Sequence, residues 1–107
     1  MSDTHNQFQN YNALTYSVSS LIDISKNLPV KTVDIKTINL SYEILPNSYD
    51  IADFVEQIKQ INACELKYPI LLYRGFVMDG KHRLAKALLE NKKTIKVRFL
   101  DELPPSI

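Results

Sequence analysis

"YPILLYRGFVMDGKHRLAKALLENKKTIKVRFL", residues 68–100, decides the fold. It opens on an apolar run from Tyr68 to Tyr73, short and bounded as a buried strand is. Arg74-Gly75 is a turn signal, and "FVMD" (76–79) returns as its hairpin partner. From about Lys81 to Glu90 the apolar spacing becomes helical, with Leu84, Ala87 and Leu88 on one face. "TIKVRFL" (94–100) then alternates again, setting Ile95, Val97 and Phe99 inward against Lys96 and Arg98 outward.

Upstream, "LPNSYDIADFVEQIKQINA" (45–63) predicts a helix. Asn47 and Asp50 stand at the spacing of an N-cap and its third helical residue. Ile51, Phe54, Val55, Ile58 and Ile61 follow at helical intervals and form an expected core-facing stripe. "KTVDIKTINL" (31–40) reads as a strand with one buried face. Ser17 reads as the N-cap of a short helix carrying Val18, Leu21 and Ile22, which Pro29 ends. Residues 1–14, rich in Asn and Gln, read as a flexible N-terminal arm, and "DELPPSI" (101–107) as an exposed tail. The order helix, strand, helix, strand, strand, helix, strand implies one α+β domain over residues 15–107, a small mixed sheet with helices packed on it.

Composition narrows the function. The chain has 107 residues, 45% of them hydrophobic, which suits one small core. A net charge of +1 gives no global attraction to nucleic acid or membrane. Cys64 is the only cysteine, so a disulfide framework and a cysteine-rich metal site are both excluded, and a reducing cytoplasm fits. No run approaches the roughly 18 apolar residues of a membrane span, and the N-terminus lacks the pattern of a secretory signal.

The chemistry concentrates at Asp79-Gly80-Lys81-His82-Arg83. The first N–H groups of a helix lack intrahelical partners, and the macrodipole there favours negative charge, yet three basic or basic-capable residues gather at this helix start. A bound oxyanion resolves the conflict. Gly80 lets backbone approach a ligand, Lys81 and His82 add charge and donors, and Arg83 can grip a phosphate with two parallel hydrogen bonds. Asp79 suits a helix cap, a Mg²⁺ contact or the positioning of a hydroxyl, and His82 a phosphate donor or proton relay. The spacing is not that of a P-loop. No cluster of His, Cys and carboxylates suggests a metal site, and the same box also suits a plain capped turn with solvated cations.

The residues from 68 to 100, with the helix and strand before them, resemble the ParB/sulfiredoxin superfamily over roughly residues 30–100. The shared pieces are the Phe54 helix, the Pro69-Ile70 strand, the Gly75 turn, the DGKHR box at 79–83 and the final strand through Ile95 and Val97. "YSVSSLIDISKNLPV" (16–30) also looks like the front of small phage and bacterial members. The resemblance implies a nucleotide or phosphate pocket at Gly80–Arg83, with ATP, ADP or CTP and Mg²⁺ as the cofactors. Sulfiredoxins carry Cys in a "GCHR" box where Lys81 stands here, so sulfinic-acid repair is not expected, and Cys64 does not replace it. Partition ParB proteins add a helix-turn-helix DNA domain, which does not follow within these residues. Free-serine kinases of the fold carry the nearest box and use a glutamate near the first strand, for which Glu43 is the weak candidate.

The resulting expectation is a nucleotide- or phosphate-binding ParB-like domain, serving a phosphotransferase, a nucleotide hydrolase or a binding module alike. The alternative is a nucleic-acid-binding or nuclease-like accessory protein, with Lys92, Lys93, Lys96 and Arg98 as a basic strip toward DNA. Lysines at such positions also serve simply to keep a sheet edge from aggregating. An exposed sheet edge would allow two copies to pair.

Overall fold

In the computed structural model the described residues are 8–40 and 48–107. They form an α+β domain of three α-helices and two sheets, one of two strands and one of four. No helix among them is long and apolar enough to cross a membrane.

The chain begins with a hairpin. Strands β1 (Phe8–Tyr11) and β2 (Leu14–Ser17) pair antiparallel around Asn12 and Ala13. Both turn residues have positive φ, 51° and 66°, as a two-residue hairpin of matching twist requires. Residues 8–14 therefore belong to a built element, although the sequence placed them in a loose arm. Tyr11 is what anchors them: its ring packs edge-on against Tyr73 and Phe76.

Helix α1 (Val18–Ser25) starts where expected, with the Ser17 hydroxyl accepting from the Ser20 amide. Strand β3 (Lys31–Asp34) follows and closes in a single 3₁₀ turn, Ile35–Thr37, capped by the Asp34 carboxylate. Helix α2 (Ile51–Ala63) has its capping box three residues later than the spacing predicted. Asp50 is the N-cap, accepting from the Asp53 amide at 2.9 Å, and Asp53 reaches back to the Asp50 amide at 3.1 Å. Asn47 lies outside the described residues.

Strands β4 (Ile70–Tyr73) and β5 (Phe76–Asp79), helix α3 (Lys81–Leu89) and strand β6 (Thr94–Phe99) reproduce the strand, strand, helix, strand order of residues 68–100. The main sheet runs β3-β6-β4-β5, with β4 and β6 parallel and the other neighbours antiparallel. A βαβ-type crossover through α3 is what allows the parallel pair.

Both faces of this sheet are covered. On one side Ile70, Leu72, Val77 and Val97 pack with Leu84 and Ala87 of α3. On the other, Leu71, Met78 and Leu100 pack with Leu21 of α1 and Tyr16 of the hairpin. This corrects two expectations. The "outward" face of β6 is only partly solvent: Lys96 is exposed, Arg98 half-buried, and Phe99 is exposed where it was expected inward. The C-terminal segment is also partly used, since Leu103 packs on the second core and the Ile107 amide donates to the Thr15 carbonyl.

The third correction concerns α2. Of its apolar stripe only Ile61 is buried, while Ile51, Phe54, Val55 and Ile58 remain exposed. The helix meets the body through Gln57, Ile61 and Cys64, a face about 100° round its axis from that stripe. Lys86 of α3 fixes its end, donating to the carbonyls of Asn62 and Cys64.

Candidate functional site: a guanidinium-lined cavity behind the DGKHR turn

The β4–β5 hairpin carries one irregularity, and it positions the site. Leu72 stands opposite Val77, but Leu71 stands opposite Asp79, so β5 holds one extra residue, Met78. A bulge of this kind re-aims the side chains beyond it. Val77 packs toward α3, Met78 packs toward α1, and Asp79 then lies across from Leu71 on the α1 side. In a regular strand Asp79 would share the face of Val77.

Gly80 follows as the N-cap of α3 in a left-handed conformation, φ 106° and ψ 25°. A Cβ there would lie 2.5 Å from Cγ2 of Ile70. Glycine is thus required twice, for the backbone angle and for the close approach of β4. The tight turn brings Arg83 back over Asp79: Nη2 of Arg83 donates to Oδ2 of Asp79 at 2.9 Å, and the two side chains are 2% and 3% exposed.

The four residues after Asp79 do not act as one cradle. His82 is buried and turns to α2, its Nε2 lying 2.7 Å from Oε1 of Gln57. With an amide oxygen as acceptor, Nε2 is the donor. Lys81 lies against the Phe76 ring, 6.0 Å from its centroid, and burial pushes its ammonium below the ordinary lysine value. The space at the turn itself, bounded by Gln9 of β1, Val18 of α1 and residues 78–82, is about 10 Å³. That admits about one water, and the N-terminal hairpin closes it.

A larger cavity of about 70 Å³ lies on the other side of Asp79 and Arg83. Ile22 and Ser25 of α1, Tyr68 and Pro69 before β4, Leu71, and Arg98 of β6 complete its lining. Among the described residues two guanidinium groups and one carboxylate therefore converge there. Nε of Arg98 is buried and meets no hydrogen-bond partner among the described residues. A buried donor left in that state costs free energy, which an oxyanion acceptor would recover.

Of the expected site residues, Asp79 and Arg83 are brought together in this cavity, and Gly80 shapes the turn. Lys81 and His82 point elsewhere. Glu43 lies outside the described residues. The basic strip divides: Lys92 and Lys96 border a shared hollow of about 230 Å³ with Thr32 and Thr94, Lys93 is exposed, and Arg98 faces the Arg83 cavity instead. Arg98, expected as a nucleic-acid contact, instead lines the cavity with Arg83, and Ser25, which the sequence did not single out, lies there too. The signal in the sequence was an arginine in a strand of a sheet covered on both faces. Tyr68, at the start of the apolar run, also lines the cavity.

The residues do not suit Mg²⁺. Among the described residues no group of three or more His, Cys, Asp or Glu side chains could hold a metal ion. Asp79 is the one carboxylate at the cavity among the described residues, is already paired with Arg83, and has a second guanidinium beside it. Magnesium prefers carboxylates that are free to replace its waters.

No family model, no curated protein and no solved structure matches the chain.

Proposed function

We propose that this domain binds a phosphorylated ligand, with one oxyanion group entering the cavity between Arg83 and Arg98. The observation that carries this reading is the convergence of two guanidiniums on one small space that, among the described residues, holds one carboxylate. Asp79 holds Arg83 at 2.9 Å and so fixes the orientation of its guanidinium at the cavity. Arg98 supplies the second set of donors from the sheet. A cavity of about 70 Å³ is far below the several hundred Å³ of a site that engulfs a small organic ligand, so only the anionic end group enters.

The resemblance to the ParB/sulfiredoxin superfamily makes a nucleotide the first candidate, with ATP, ADP and CTP as the probes. His82 holds α2 to the turn in this reading, through its hydrogen bond to Gln57. Isothermal titration of the whole chain with inorganic phosphate, ATP, ADP and CTP, each with and without Mg²⁺, tests the proposal. Saturable binding that weakens with salt and needs no magnesium is expected; silence with all four ligands would end it.

The nucleic-acid alternative rests on Lys92, Lys93 and Lys96 alone, because Arg98 faces the other way. A mobility shift at low salt that is lost when these three lysines are replaced by glutamine would favour it.

A further inference from the structure

The cavity between Arg83 and Arg98 is lined by acceptors as well as donors, and the acceptors say which oxyanion fits. The two arginines present N–H groups. Asp79 and Ser25 are opposite in kind. Asp79, ionised in its pair with Arg83, can only accept hydrogen bonds. Ser25 is 1% exposed, and its hydroxyl donates to the Ile22 carbonyl at 2.8 Å. The one hydrogen of that hydroxyl is committed within α1, so toward the cavity Ser25 also offers lone pairs alone. About 70 Å³ is room for roughly five water-sized atoms, as many as one phosphate group has, so an entering group meets donors and acceptors together.

An oxygen that carries no hydrogen is repelled by a carboxylate, whereas a P–OH group donates to it in a short, charge-assisted bond. We propose that the cavity selects a phosphate group that still carries one proton, the monoanion of inorganic phosphate or of a phosphomonoester. Arg83 and Arg98 hold its oxygens, and its hydroxyl donates to Asp79 or Ser25. Sulfate has the same shape but no proton at neutral pH, and a phosphodiester has none either, so both bind weakly. The ligand is then a terminal phosphate and not the backbone of a nucleic acid. This inference rests on the oxyanion reading above and sharpens it: absence of anion binding ends both, whereas indiscriminate anion binding ends this inference alone.

Isothermal titration of the whole chain with inorganic phosphate, methyl phosphate, sulfate and dimethyl phosphate, at pH 6 and pH 8, tests it. Inorganic or methyl phosphate should bind saturably at pH 6, the tighter of the two showing whether the group arrives free or as an ester. Sulfate and dimethyl phosphate should bind at least about tenfold more weakly. A phosphomonoester with its second pKa at about 6 is roughly half monoanion at pH 6 and about one-hundredth at pH 8, so the affinity for methyl phosphate should fall about fiftyfold between them. The ionisable groups at the cavity are Tyr68, Asp79, Arg83 and Arg98, with no histidine among the described residues lining it, so the fall reports the proton of the ligand. The Nε–H resonance of Arg98 should follow phosphate and ignore sulfate, which places the selectivity at this cavity. Sulfate bound as tightly as phosphate overturns the inference. So does an affinity for methyl phosphate that holds or rises from pH 6 to pH 8, or a selectivity to which Arg98 does not respond. Silence from all four ligands overturns it together with the reading on which it rests.

Discussion

Arg83 and Asp79 form a buried ion pair, Nη2 to Oδ2 at 2.9 Å, across the one turn where β5 becomes α3. Desolvating two charges offsets much of what their attraction contributes, so such a pair is a poor source of net stability. Its effect here is directional: the bulge at Met78 aims the carboxylate, and the carboxylate aims the guanidinium into the cavity that Arg98 shares.

Removing one partner should therefore cost far more than removing both. Asp79→Asn takes the carboxylate away from a buried guanidinium, and we predict a loss of about 3–5 kcal/mol. The pair Asp79→Leu with Arg83→Met should lose much less, on the order of 1 kcal/mol or nothing. Urea denaturation of the two variants against the parent measures the difference.

At Gly80 the prediction is steric. Gly80→Ala puts a methyl carbon 2.5 Å from the Ile70 side chain and holds an alanine at φ 106°. Strain and overpacking together should cost at least about 2 kcal/mol. Gly75 has positive φ as well, but nothing lies within 4 Å of its Cβ position, so Gly75→Ala should cost less, about 1 kcal/mol. The same denaturation experiment ranks the two.

Asn12-Ala13 offers the opposite case. Ala13 sits at φ 66° in the hairpin turn, a conformation that glycine adopts without penalty. Ala13→Gly should stabilise the domain by about 1 kcal/mol, read as a higher urea midpoint at unchanged slope.

Lys81 carries a pH signature. Burial lowers its pKa below 10.5, so the folded state releases its proton before the unfolded state does. The cost of holding the charged form is complete below the folded pKa and disappears as pH rises through that value toward 10.5. Lys81→Met should accordingly be more stable than the parent at neutral pH, and the gap should close in alkaline solution. An advantage that does not narrow with pH would refute this.

The local parts of the fold were legible because their signals are local. Arg74-Gly75 marks its turn by residue type, Ser17 its cap, and Leu84 and Ala87 their buried face by spacing alone. What failed depended on distant partners. The bulge at Met78 is a register shift between two strands, and neither strand carries a mark of it. The stripe on α2 was correctly periodic, but periodicity locates an apolar face without saying what covers it. Tyr11 turned a polar arm into a hairpin by finding Tyr73 and Phe76 some sixty residues away. Arg98 was legible as an alternating residue, and only the docking of α1 on that face converts it from a surface cation into a partner for Arg83.

The Nε–H resonance of Arg98, followed by NMR as inorganic phosphate and then ATP are added, tests the central claim most directly. Nε of Arg98 is buried and meets no partner among the described residues, so an oxyanion entering the cavity should shift its signal saturably, and Arg98→Gln should weaken binding at least about tenfold. An Arg98 signal that stays fixed while the amides of residues 80–83, or the lysines at 92, 93 and 96, respond instead would place the anion elsewhere and contradict the account.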